Sequence, residues 1–204
     1  SANCATTTAI RSTGNGRILI KNNNITGFNR AVDLVSVSNL DLRGNTFNLN
    51  TTVIQQTDGI IDAYANNLAN YTIAYSQSIS GTANLNNNFW GVAVGETPPA
   101  GSGVPQSAWD ARLAASVVAW TDASSRLNRA KLGEAELESS NNSGTAVLVS
   151  YRRSPDNAPF NEPLSGGVLC SDYYEVFPRG NIADQTTWTL KIPVDDNPAC
   201  NAEV

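Results

Sequence analysis

Asn23, Asn45, Asn66 and Asn88 recur along the chain at steps of 22, 21 and 22 residues. Each stands in the same frame, with Ile20, Leu42, Ala63 or Leu85 three residues before it and Ile25, Phe47, Leu68 or Trp90 two after. A period of twenty-odd residues marks a solenoid, in which a repeat buries its apolar face only against its neighbours. Within the repeat, Leu40-Asp41-Leu42 and Ile61-Asp62-Ala63 alternate apolar and polar residues, the two-residue period of a strand with one face inward. No stretch between the corners is long enough for a helix. Stacked coils lie about 4.8 Å apart, so one Asn per coil at one corner builds a column of side-chain amides, each able to donate to the next. The expected fold class is all-β, opening with a right-handed parallel β-helix of about four coils.

Those coils are expected from Ile18, Leu40, Ile60 and Ala83 onward, the last cut short at Trp90-Gly91. Residues 1–17 are small, polar and Thr-rich, and read as a partial coil or a lead-in strand within a first domain of residues 1–91. Residues 92–105 are rich in Gly and Pro and read as a linker. Beyond them, residues 106–204 are expected to form a small antiparallel β-sandwich. In it, Ser107 is a candidate N-cap for a turn or two of helix. Residues 130–138 read as one strand, joined by the turn at 139–144 to a second, TAVLVSYRR. Further strands are expected at Tyr173–Phe177 and Thr186–Ile192, before Pro193.

Three cysteines are present. Cys170 and Cys200 flank a strand-rich segment and are expected to pair, closing a loop of about thirty residues and contributing roughly 3 kcal/mol; two free buried thiols are the other reading. Cys4 is left over, and an odd cysteine in a secreted chain points to a partner outside the chain.

Charged residues make up 15% of the chain, against an ordinary quarter. Its polarity comes from Asn, Thr and Ser instead, as on a β-rich extracellular surface. The net charge of −5 and the lack of a basic stripe argue against nucleic acid. No apolar run is long enough to span a membrane. There is no His, which removes imidazole bases, His-dependent triads and His-ligated metals. Met is absent too, so Ser1 is expected to be a processed or excised start.

The stretches ILIKNNNITGF (18–28), LDLRGNTF (40–47) and NLNNNFWG (84–91) resemble the pectate-lyase-like and NosD-type β-helix superfamily. The last is similar to the NxFWG phrase with which many bacterial β-helix repeats finish. The resemblance implies a secreted or cell-surface protein with polysaccharide contact, and is specific for fold rather than activity. Members of this superfamily that are whole enzymes usually have seven or more coils. The segment beyond Pro105 resembles trailing β-domains of large bacterial surface proteins in a general way.

Aligning the coils puts Leu19, Asp41, Asp62 and Asn84 in one outward column and Lys21, Arg43, Tyr64 and Asn86 in the next. Asp41 and Asp62 then stack about one strand spacing apart, where two carboxylates share a proton or a calcium ion. Arg43 and Lys21 lie beside them as charge clamps or bases for a polyuronic acid. The alternative is a solvated sheet face on which the same basic residues offset like charges. Asp172 and Asp195-Asp196-Asn197 are a second candidate calcium set or plain turn formers. Trp90, Trp109, Trp120 and Trp188 read as a sugar platform or as core. Sequons stand at Asn24, Asn50, Asn70 and Asn141, with Asn70 and Asn141 the better glycosylation candidates.

Two functions follow from this reading. The first is a non-catalytic structural or adhesive protein, extracellular or on the cell surface. It would stack head-to-tail with copies of itself into a filament, or end a longer β-helix whose upstream coils are its partner, and would need no cofactor. The alternative is a module that binds or cleaves acidic polysaccharide at Asp41, Asp62, Arg43, Lys21 and Tyr64, with calcium as the one candidate cofactor.

Overall fold

The computed structural model describes residues 7–36, 39–92, 96–113, 115–124, 129–139, 145–151, 173–179 and 188–192. The repeat winds through three parallel sheets. One holds β1 (Thr8–Ser12), β4 (Arg30–Leu34), β7 (Thr52–Gln56) and β10 (Ile73–Gln77). The second holds β2 (Arg17–Lys21), β5 (Asn39–Arg43), β8 (Ile60–Tyr64) and β11 (Thr82–Asn84). The third holds β3 (Asn24–Thr26), β6 (Thr46–Asn48) and β9 (Asn67–Ala69). Chain order visits the three sheets in turn, which makes a β-solenoid.

It has about three turns, not four: β2-β3-β4, β5-β6-β7 and β8-β9-β10 are complete. The fourth coil stops at β11 and a single bridge from Phe89 to Asn67, because the chain then leaves the spiral. Its return is held by the carbonyl of Ser102, which accepts from the backbone N–H groups of Ala74 and Tyr75 at 2.8 and 3.2 Å.

Register makes the interior. Ile20, Leu42 and Ala63 stack in adjacent coils, as do Ile25, Phe47 and Leu68. All six are buried, along with Leu85 and Trp90. A polar exception is Gln56 on β7, fully buried, whose amide donates to the carbonyl of Gly59 at 2.9 Å and accepts from the Tyr75 hydroxyl at 2.6 Å. Its partners meet the requirement that buried polar groups be bonded.

The downstream end is covered by the chain itself. Helix α1 (Gln106–Asp110) starts after Pro105 and has no side-chain cap, so the expected capping by Ser107 does not occur. Pro supplies the extended entry, and Ser107 lies inside the first turn. Trp109 and Ala108 are buried in the same core as Trp90, and the indole N–H of Trp90 donates to the carbonyl of Ala108. The backbone N–H of Leu113 donates to the Asn88 carbonyl at 3.0 Å, and that of Asn87 to the Ala111 carbonyl at 2.7 Å. The first compact unit therefore runs from Ser1 to Ser116, and holds the stretch expected as linker as well as α1.

The second unit, Val117–Val204, has two antiparallel sheets. One is β12 (Val117–Ser124), β15 (Thr145–Tyr151) and β16 (Tyr173–Arg179). The other is β13 (Arg129–Leu132), β14 (Ala135–Ser139) and β17 (Trp188–Lys191). Here the strand expected over 130–138 is two strands. The chain folds back at Gly133-Glu134, with Leu132 opposite Ala135 and Gly133 at φ 61°, the left-handed geometry that two-residue hairpin loops require. Consequently β15 pairs with β12 and β16, not with the 130–138 segment. Ala130, Leu137, Leu148, Val176 and Leu190 from the two sheets gather in one apolar cluster. Cys4, Cys170, Cys200, Asn141, Asp172, Asp195, Asp196 and Asn197 lie outside the described residues, so the expected disulfide does too.

Candidate functional site

Each corner that joins the second sheet to the third is built from two residues. The first has positive φ: Asn22 at 57°, Gly44 at 61°, Ala65 at 55° and Asn87 at 60°. Such a left-handed residue turns the chain sharply and aims the next side chain along the coil axis. That next residue is the recurring Asn. The side-chain oxygen of Asn45 accepts from both the backbone N–H and the side-chain amide of Asn23, at 3.0 and 3.3 Å. Asn66 accepts the same pair from Asn45 at 2.8 and 3.0 Å, and Asn88 from Asn66 at 3.1 and 2.8 Å. The amides also reach back one coil, Asn45 to the Ile20 carbonyl, Asn66 to Leu42 and Asn88 to Ala63, at 2.9, 2.9 and 2.8 Å. Asn45, Asn66 and Asn88 are buried and Asn23 is exposed.

A second bonded corner went unnoticed in the sequence. Buried Asn50 accepts from the Phe28 backbone N–H at 3.0 Å and donates to the Ile25 carbonyl at 2.8 Å. Its amide is therefore enclosed, whereas the Asn70 sequon is exposed at a corner, its amide bonded to Asn48 at 2.9 Å. What hid Asn50 is the lack of an Asn at the matching position of the next coil, where Tyr71 stands.

On the outer face of the second sheet, Leu19, Asp41, Asp62 and Asn84 are in register, and so are Lys21, Arg43 and Tyr64. The chemistry there is set by Arg17. Its guanidinium reaches Asp41 at 2.6 Å, and Arg43 reaches the same carboxylate oxygen at 3.1 Å while lying 5.1 Å from the Tyr64 ring centre. Asp41 is buried between two guanidinium groups, and Arg17, which sequence reading passed over, takes the place expected of Lys21. Arg17 belongs to the adjacent register position, beside Asn39, so column-by-column alignment hides the diagonal reach of a long side chain. Among the described residues no group of three His, Cys, Asp or Glu gathers as a metal site.

The four tryptophans divide by unit. Trp90 and Trp109 fill the solenoid core; in the second unit half-buried Trp120 stands on β12 opposite Val149, and half-buried Trp188 packs on the apolar cluster. In that unit a charged face appears that was read only as strand alternation. Arg129, Lys131 and Lys191 surround Glu136 and Glu138, and the Arg129 hydrogen bond holds the Glu138 carboxyl down at about 2.

No helix among the described residues is long and apolar enough to cross a membrane. Searches against protein-family models, curated proteins and solved structures give no match.

Proposed function

We propose that this chain is a non-catalytic structural or adhesive module of an extracellular or cell-surface protein. In this reading the first unit is the closing segment of a right-handed parallel β-helix akin to the pectate-lyase-like and NosD-type superfamily, and the second is a β-sandwich. The observation that supports it is the fate of the polar groups. The recurring amides are turned along the coil axis and bonded to neighbouring coils. Asp41, one of the two stacked carboxylates, is held between two guanidinium groups that both contact its Oδ2, so the oxygen it would offer a calcium ion already faces two positive charges. Cell-surface labelling with an antibody against this chain is the test. Label on intact cells that protease treatment removes is expected; label only after lysis overturns the reading.

A second reading, an acidic-glycan surface, rests on Arg17, whose side chain is 69% exposed, beside exposed Lys21 and Leu19. Polygalacturonate is the probe. Saturable binding lost in Arg17→Ala would favour this reading, and release of unsaturated uronides would make the protein a lyase.

A further inference from the structure

The amide column has a direction, and its two ends differ. In every complete step the lower side-chain oxygen takes two donors from the coil above, while the lower amide reaches up to the carbonyl three residues ahead of the upper Asn. At the lower end the coil edge is filled by Trp90, Trp109 and the Ala111–Leu113 backbone. At the upper end the pattern stops unfinished. Asn23 donates downward to Asn45 and within its own coil to the Lys21 carbonyl at 2.9 Å, and among the described residues nothing donates to its side-chain oxygen. Among the described residues, the strands there, β1, β2 and β3, are the terminal strands of all three sheets. Ile10 and Ile18 are only half-buried, whereas Leu40 and Ile61, which continue the Ile18 column, are fully enclosed.

We propose that the upstream edge formed by β2, β3 and Asn23 is a docking surface for one more coil of the same kind, carrying a left-handed residue followed by Asn. This deepens the proposed structural role and rests on it. The occupant is specified by donors and acceptors. It must place a backbone N–H and a side-chain amide together over the Asn23 oxygen, and a carbonyl three residues earlier over the Asn23 amide. A strand–corner–strand segment with that Asn does both at once; an ordinary edge strand brings backbone N–H and carbonyl groups but no side-chain amide. The downstream end of a second copy does not fit, because Asn87 and Asn88 are bonded to Ala111 and Leu113 and covered by two tryptophans.

The test uses the full 204-residue chain and a synthetic peptide with the sequence of residues 39–48, paired with a control peptide in which the Asn45 position is Ala. The Asn peptide is expected to bind and to slow amide exchange across Arg17–Thr26, with the Ala peptide weaker by roughly tenfold or more. In the Asn23→Ala chain the two peptides should bind alike. Equal binding of both peptides to the unaltered chain, or no binding by either, overturns the proposal. A concentration-dependent dimer of the chain alone that Asn23→Ala abolishes would also overturn it, by making a second copy the occupant. Cell-surface labelling reports location only, so failure of that test and failure of this one are told apart.

Discussion

Oδ1 of Asn66 accepts two hydrogen bonds from a single residue of the coil above, the backbone N–H of Asn45 at 2.8 Å and its side-chain amide at 3.0 Å. The pairing ties the path of the turn to the position of the amide, so neither is set without the other. It also makes the interior rungs unequal to the exposed one.

Asn45→Ala is expected to lower stability by at least about 2 kcal/mol, because the Asn23 N–H and the Ile20 carbonyl both lose partners worth about 1–3 kcal/mol each. Asn23→Ala, at the exposed rung, should cost under about 1 kcal/mol. Urea midpoints of the two variants decide the matter; equal losses would show that the column does not carry the load argued for it.

Leu49 has φ 54° and is 60% exposed, on a corner matched by Gly27 and Asn70. A left-handed residue with a Cβ costs about 1–2 kcal/mol, and glycine returns about 0.4–1 of that in unfolded-chain entropy. Leu49→Gly should therefore raise stability by up to about 1 kcal/mol. A lowered melting midpoint would mean that the exposed leucine makes contacts of more value than its backbone strain.

Trp109→Ala should destabilise the first unit by about 3–5 kcal/mol. It opens the covered end and exposes Trp90, whose indole bonds the α1 backbone. The expected signature is a lower melting midpoint together with stronger acrylamide quenching of the remaining buried tryptophan. A loss under about 1 kcal/mol would show that α1 is not the seal.

Glu138 is held down at about 2, against an ordinary value of 4.5, first by its hydrogen bond from Arg129 and then by Lys191. A depressed carboxyl favours the folded state above its unfolded value and loses that contribution as pH falls through the folded one. Stability of the second unit should thus fall between about pH 4.5 and 2, and Glu138→Gln should flatten part of that fall. Identical pH profiles for the two proteins would place the acid sensitivity elsewhere.

The solenoid was legible because its repeat carries the same side chain to the same corner, and because parallel register preserves column order. Leu19, Asp41 and Asp62 could be placed side by side from spacing alone. The rest was hidden where the determinant is not periodic. Arg17 reaches Asp41 diagonally through a flexible side chain. The end seal is made by a segment whose Gly and Pro content looks like a tether, yet Ser102 and Trp109 anchor it. In the second unit, the alternation slips phase at Gly133-Glu134, from apolar residues at 130 and 132 to apolar residues at 135 and 137, and the left-handed glycine there turns one apparent strand into a hairpin. Charge at positions 129, 131, 136 and 138 was the available clue, since it pairs across that turn.

The left-handed residue and its Asn present the same contacts upward and downward in every interior coil. The chain's reach is thereby quantised. Excising one whole coil would bring β2 against β8 with Asn23 above Asn66, and the corner would close as before. Removing a single residue from within a strand would turn its inward side chains outward, whereas the 21-residue step from Asn45 to Asn66, between steps of 22, shows that a corner absorbs such a loss with the register kept. Copying errors in the gene can thus lengthen or shorten such a molecule by whole turns, or by single residues at its corners, without disturbing the column, so its relatives should differ in reach before they differ in shape.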